Sequence, residues 1–311
     1  MTKYLLTAHF NHFFKKLNPS PSFVQIAARE HTNITSLIEN KNGIASSLSP
    51  ICFLQGSYKQ ATAIYSINDV DIVALCMLQY PGNEFGVQWT RDQIFDAIAA
   101  PLKHDRRYSG KVRYNKGSMC IKVKLGIKIE ILPVVFKARN TDPNIEPFSL
   151  YRPDKRQWED GYARYHQGYL TAKNQLEYTN GNFIPAIKVL KRLRSKFNQN
   201  VVSFHIECLL YSLPNNVFLG QPAEYIANML RFISSATALK WWRERNVTTP
   251  CGERQVFTNS EWNIVTWIQF HKSLCLWAKI ANAANQAPNK ERAITLWQLL
   301  LGKDFFPKEA S

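Results

Sequence analysis

Two short β-type runs, joined through a glycine–serine pair, constrain this chain more than any other feature. The first is Ile51-Cys52-Phe53-Leu54, leading into Gln55-Gly56-Ser57. The second is Asp69-Val70-Asp71-Ile72-Val73-Ala74-Leu75, entered through the polar turn Ser66-Ile67-Asn68. Runs rich in Val and Ile and bounded by turn residues read as strands. Side chains alternate along a strand, so Asp69 and Asp71 share one face while Val70 and Ile72 take the other. Gly56-Ser57 is expected to close the first strand and open a short helix through Tyr58 to Ile64. A third segment, Lys122 to Pro133, alternates apolar and polar residues as a half-buried strand, or as a hairpin turning near Gly126. There Glu130 shares a face with Lys128, and Ile129 and Ile131 point into the core.

Around these segments the periodicity is helical. A helix at the amino terminus carries Leu5, Leu6, Phe10, Phe13, Phe14 and Leu17, interrupted by His9, Asn11 and His12; it reads as amphipathic, not as a secretory signal. Further helices are expected around Phe23 to Glu39 and Thr90 to Leu102. Ala138 to Gln157 is polar, contains Pro143, Pro147 and Pro153, and reads as a connection between lobes. From Trp158 onward the pattern is mostly helical. Ile187, Leu190, Leu193 and Phe197 form one apolar stripe that places Lys191 at its wet edge. Trp267, Phe270, Leu274 and Trp277 recur at helical spacing and read as core; His205 and Glu207 read as structural. The expectation is an α+β chain of two lobes: residues 1–150 with N-terminal helices and a small mixed sheet, then a helical lobe over 151–311.

The residue types fit one kind of chemistry. Two close carboxylates repel each other and raise one another's pKa unless a cation intervenes. Such hard oxygen ligands suit Mg²⁺ or Mn²⁺. A helix N-terminus offers free N–H groups to phosphate, glycine allows close approach, and the Ser57 hydroxyl adds a donor. Together these parts suit metal-dependent nucleotidyl transfer. Plainer readings exist for each: a solvated acidic strand end, Ser57 as an N-cap, and Lys128–Glu130 as a surface pair.

At these residues the chain resembles the bacterial cGAS/DncV-like nucleotidyltransferases (CD-NTases), relatives of cyclic GMP–AMP synthase and oligoadenylate synthetase. Gly56-Ser57 with Thr62, then Asp69 and Asp71, then Glu130-Ile131-Leu132-Pro133, are similar to that family's G-S-x-x-x-x-T, D-x-D and acid-x-L-P pattern. The last acid is usually Asp in the family and is Glu here. Phe183 to Lys191 resembles its helix ending in Leu-Leu-Lys, and Ser203 to Leu210 its Ser-aromatic-x-aliphatic-Glu helix. Ala293 to Phe305 looks like its closing segment, with Leu301 where Phe is usual. The zinc-binding insertion of the animal enzyme is not seen.

The resemblance implies Asp69, Asp71 and Glu130 as catalytic residues and ligands of Mg²⁺, for which Mn²⁺ can substitute. It implies Gly56, Ser57, Lys191 and Ser203 as nucleotide-binding residues. It further implies NTP substrates including ATP, closure to a cyclic di- or trinucleotide second messenger, and an effector protein reached through that product in antiphage defence. Linear transfer to RNA or a small molecule, and a catalytically silent nucleic-acid binder, remain the alternatives.

Composition is compatible. The chain has 311 residues, 45% hydrophobic and 13% aromatic, enough for a sizeable core in one domain or two. The formal charge of +16 favours anionic partners; it is dispersed, so a nucleic-acid activator is possible but not favoured over a basic surface around a nucleotide site. The six cysteines form no C-x-x-C pair and read as buried thiols of a reducing, cytoplasmic protein. No apolar run is long enough to span a membrane.

Overall fold

The computed structural model describes residues 4–67, 69–80, 89–137, 142, 144–244 and 247–309. Asn68 of the expected turn, and Ala138 and Pro143 of the expected connection, lie outside the described residues. Along the chain the elements are α1 (Thr7–Leu17), α2 (Pro21–Ile38), β1 (Ile51–Gln55), α3 (Gly56–Lys59), β2 (Asp69–Tyr80) and α4 (Arg91–His104). Then come β3 (Val112–Arg113), β4 (Ile121–Lys124), β5 (Lys128–Lys137), β6 (Phe148–Arg152) and β7 (Gln157–Gly161). The remaining helices are α5 (Ala163–Lys173), α6 (Leu176–Thr179), α7 (Phe183–Lys196), α8 (Ser203–Tyr211), α9 (Pro222–Ser234), α10 (Ala238–Glu244), α11 (Ile264–Asn285) and α12 (Lys290–Leu301). The expected α+β architecture, a mixed sheet and then a helical C-terminal region, is what the chain adopts.

The chain divides into two compact units, but not at a single cut near residue 150. The sheet unit comprises Ser20–Ala61 and Ser66–Gln167; the helical unit takes the chain up to Pro19, Thr62–Tyr65 and everything from Gly168. Helix α1 belongs with the C-terminal helices because Phe10 meets Trp297 and Phe306 edge to face, at 5.2 and 5.0 Å between ring centroids.

In the sheet unit the strand order is β1-β2-β5-β4-β3, with β6 pairing β5 and β7 pairing β6. Strands β2 and β5 run parallel; the other pairs are antiparallel. The polar stretch expected as a connection instead holds β6 and β7, which extend the sheet. Phe148 and Leu150 there bury against Val73, Leu75, Val134 and Phe136, which outweighs the nearby prolines. One face of the sheet (Val70, Ile72, Ala74, Cys76, Ile129, Ile131, Val123) packs with Ala27, Ile34, Ile38, Ile94 and Ile98 of α2 and α4. Both helices start at caps: Ser20 Oγ accepts the Phe23 N–H, and Thr90 forms a capping box with Gln93.

The helical unit is built around α7, α8, α9, α11 and α12, with Trp241, Trp267, Trp277 and Trp297 fully buried. Ile187, Leu190, Leu193, Trp267, Phe270, Leu274 and Trp277 all lie in this core, as their spacing indicated. All six cysteines are free, though only Cys76 and Cys208 are buried; the other four are half-buried.

Candidate active site

The acid-bearing face of β2 changes character along its length. Asp69, Asp71, Val73 and Leu75 point the same way, yet Val73 and Leu75 are covered by the small aromatic cluster around Phe148 while the two aspartates stay half-buried. Parallel pairing sets Asp71 opposite Glu130 and Asp69 opposite Lys128. Antiparallel pairing sets Gln55 opposite Asp71 on the other side. Register therefore brings Asp69, Asp71 and Glu130 to one patch, where apolar cover ends.

The Gly56-Ser57 turn follows Gln55 directly. Gly56 has a φ of +71°, and a side chain there would overlap the Asp71 carboxylate, so only glycine fits. Helix α3 is one turn long and starts at Gly56, shorter than the run to Ile64 that the sequence suggested. Its N-cap is Gln55, so Ser57 is not the cap, and no hydrogen bond of its hydroxyl occurs among the described residues. The chain leaves the turn at once because Thr62–Tyr65 joins the helical unit.

Electrostatically the patch is under-compensated. The Asp71 carboxyl is raised to about 7, first by burial, then by the charges of Asp69 and Glu130, with Lys128 opposing. The Lys128 ammonium sits 3.1 Å from Glu130 and 3.6 Å from Asp69, and Lys122 lies 3.8 Å from Glu130. Burial works against the Lys128 charge, but its hydrogen bond to Glu130 and the two acids outweigh that and raise its pKa. Burial, then Glu130, pushes the neighbouring Cys120 thiol up to about 11. Among the described residues no three His, Cys, Asp or Glu side chains stand as a ready-made metal cage. The donor set nevertheless fits a hard dication: three carboxylates meet Lys128, with Lys122 at the edge beside Glu130, and burial and mutual repulsion raise Asp71 to about 7.

Lys191 and Ser203 lie in the helical unit. Lys191 is not at a wet edge: it is 2% exposed. Its Nζ donates to Glu207 Oε1 (2.7 Å), Thr62 Oγ1 (2.9 Å) and the Thr62 carbonyl (3.2 Å). The Thr62 hydroxyl in turn donates to Glu207 Oε1 at 2.8 Å. All three ammonium hydrogens are thus used. The stripe reasoning failed because it could not see Glu207, sixteen positions on, arriving from α8. Ser203 opens α8, and its Oγ accepts from Arg194 at 3.1 Å. The structure thus brings Gly56, Ser57, Asp69, Asp71 and Glu130 together in one unit, and places Lys191, Ser203, Thr62 and Glu207 in the other. Sequence reasoning missed Lys128 as the acids' counter-ion and Thr62 as the lysine's partner; only the Lys128–Glu130 shared face hinted at the former.

A mixed sheet presenting this donor set, followed by a helical unit, defines a nucleotidyltransferase. Residues 5–174 match the Second Messenger Oligonucleotide or Dinucleotide Synthetase domain, and residues 169–275 the cGAS/DncV-like nucleotidyltransferase C-terminal helical domain. The chain belongs to this family, the bacterial cGAS/DncV-like nucleotidyltransferases, and by that membership is a cyclic oligonucleotide synthase. It is 26% identical over 215 residues to the cyclic UMP-AMP synthase of Rhodothermus marinus, covering 62% of this chain and 73% of that one. The cyclic nucleotide synthase CdnE01 of Staphylococcus haemolyticus is 25% identical over 212 residues, covering 58% and 70%. The fold is shared with Vibrio cholerae DncV cyclic AMP-GMP synthase, solved with a linear intermediate: TM-score 0.73, 12% identity, covering 99% of this chain and 98% of that one. No helix among the described residues is long and apolar enough to cross a membrane.

Proposed function

We propose that this chain uses Asp69, Asp71 and Glu130, loaded with Mg²⁺ or Mn²⁺, to join NTPs, ATP among them, and to close the product into a cyclic di- or trinucleotide. The observation that carries the proposal is the register of the sheet, which sets Asp71 between Glu130 on one side and Gln55, just before the Gly56-Ser57 turn, on the other. Bound metal supplies charge neutralisation at the acids and activates the attacking hydroxyl. The protein does the rest by placement. Gly56 lets the turn lie directly against the Asp71 carboxylate, and Ser57 offers a hydroxyl that makes no hydrogen bond among the described residues. Burial and the neighbouring acids raise Asp71 to about 7, and a bound dication would relieve the repulsion among the three carboxylates. Transfer then rests on positioning and electrostatics, with pyrophosphate as the leaving group.

The family resemblance also assigns Lys191 and Ser203 of the helical unit to nucleotide phosphate. For Lys191 that role requires exchanging a Thr62 bond for a phosphate oxygen, since its hydrogens are all committed. The role we assign is a second messenger of antiphage defence, read by a separate effector protein. NTP substrates are supported by the Rhodothermus marinus enzyme, which was solved with Apcpp and Upnpp, and an E. coli relative, CdnC, was solved in a complex with HORMA-deltaN.

Incubation with all four NTPs and Mg²⁺, followed by mass spectrometry, tests the reading. Phosphatase-resistant cyclic products and pyrophosphate are expected. Label incorporated only into RNA or a small acceptor molecule would replace the proposal with linear transfer.

A further inference from the structure

The acid patch continues sideways into a row of cations. Register runs Gln55–Asp71–Glu130–Lys122–Arg113 across β1, β2, β5, β4 and β3. A parallel row runs Asp69–Lys128–Lys124, and the Lys124 N–H bonds to the Lys111 carbonyl. Register partners share a sheet face. On the opposite face of the same hairpin Val112, Ile121 and Val123 are buried, so Arg113, Lys122 and Lys124 are held on the acids' side, where all three are exposed. Lys122 reaches Glu130 at 3.8 Å, whereas no carboxylate pairs with Arg113 or Lys124 among the described residues.

The two flanks of the acids therefore differ. On the β1 side lies the Gly56-Ser57 turn, assigned above to the donor phosphates; on the β4–β3 side lies a ladder of cations. In phosphoryl transfer the attacking and leaving oxygens lie roughly in line. A donor gripped on the β1 flank leaves the β4 flank for the nucleotide that attacks. That nucleotide must bring its hydroxyl to the acids while its own charged 5′ end lies away from them. Strands about 4.8 Å apart put Lys122 about 5 Å and Arg113 about 10 Å beyond the Glu130 strand, a span that long side chains cover.

We infer that Arg113, Lys122 and Lys124 form a subsite for the 5′-triphosphate of the acceptor nucleotide. The inference rests on the nucleotidyl-transfer reading and deepens it. Arginine at the far end suits bidentate grip on phosphate, and lysines along the way act as point charges.

The experiment is kinetic, on the full chain, with donor fixed and acceptor varied between ATP and adenosine, which lacks phosphate. In Arg113→Glu/Lys124→Glu, KM for acceptor ATP is expected to rise by about tenfold or more, equivalent to about 1.4 kcal/mol, with a smaller change in kcat. Adenosine should be used equally well by variant and wild type, and Arg113→Lys should recover most of the ATP effect. Equal loss with ATP and adenosine, or no change with either, overturns the subsite. So does an unchanged KM accompanied by lost binding of a short single-stranded RNA, which would give the face to nucleic acid. A wild-type chain that releases no pyrophosphate sinks the enzymatic reading instead. Calorimetric binding of inorganic tripolyphosphate to wild type and variant then decides the subsite: weaker binding by the variant supports it, and equal binding ends it.

Discussion

Each unit carries a cluster of carboxylate and ammonium groups, and the two are built in opposite ways. In the helical unit Lys191 and Glu207 are 2.7 Å apart, with side chains only 2% and 6% exposed. Thr62 consumes the remaining donors, so the cluster is neutral and saturated. In the sheet unit three acids meet Lys128, with Lys122 3.8 Å from Glu130; the Asp69, Glu130 and Lys128 side chains are 25–38% exposed, and Asp71 is pushed towards neutrality. The saturated cluster pins a segment of chain; the unsaturated one retains demand for a cation. Burial alone therefore does not mark function here. What distinguishes the proposed site is charge the protein leaves uncompensated.

The largest test of that contrast is Asp69→Asn/Asp71→Asn. Turnover should fall by about 10³-fold or more, the scale of losing a preorganised electrostatic group. Thermal unfolding should be unchanged or raised, because the substitution removes repulsion. Full activity would end the metal-site assignment.

Glu207→Leu attacks the other cluster. It strands a buried ammonium, and a loss of about 3–5 kcal/mol in denaturant unfolding is expected. Adding Lys191→Met should recover most of it. A single variant as stable as wild type would show that the pair is not held as described.

Smaller effects sharpen the acid patch. Glu130→Gln should weaken metal dependence, and a Mg²⁺ activation curve identical to wild type would remove Glu130 from the site. Ser57→Ala should cost about tenfold in rate, roughly one charge-assisted hydrogen bond; unchanged kinetics would leave Ser57 without a role in donor binding.

Acidity separates the clusters most finely. The folded protein holds the Asp71 proton more tightly than an unfolded chain, because its pKa is raised to about 7. Its contribution to metal-free stability is thus present below the ordinary carboxylate range and lost as pH rises through about 7. The melting temperature without metal should show this fall between about pH 4 and about pH 7, and Asp71→Asn should flatten it. Mg²⁺ should bind more tightly at the alkaline end, where the proton no longer competes. A slope unaltered in the variant would place its source elsewhere.

Much of the site was legible because strand chemistry is local. Alternation alone put Asp69 with Asp71 and Lys128 with Glu130, and the turn residues located Gly56 and Ser57. Helix α4 was legible for the same reason, its Thr90–Gln93 box being a signal within four residues. The misreadings were all non-local. Strands β6 and β7 looked like a linker because their proline-bearing surroundings obscure a packing partner some seventy-five residues earlier, Val73. Lys191 looked solvated because its neutralising carboxylate comes from another helix.

By itself, then, the sequence determined which faces carry acid, where the chain bends beside them and which helices bury their aromatics, since each follows from spacing of two to four residues. Tertiary structure decided which acid meets which, that Lys128 stands among them, that Lys191 is neutralised rather than offered, and that a row of cations lines the β4–β3 flank. Those outcomes depend on strand register and on helix partners distant in the chain, and charge in a low-dielectric setting depends on neighbours rather than on residue type.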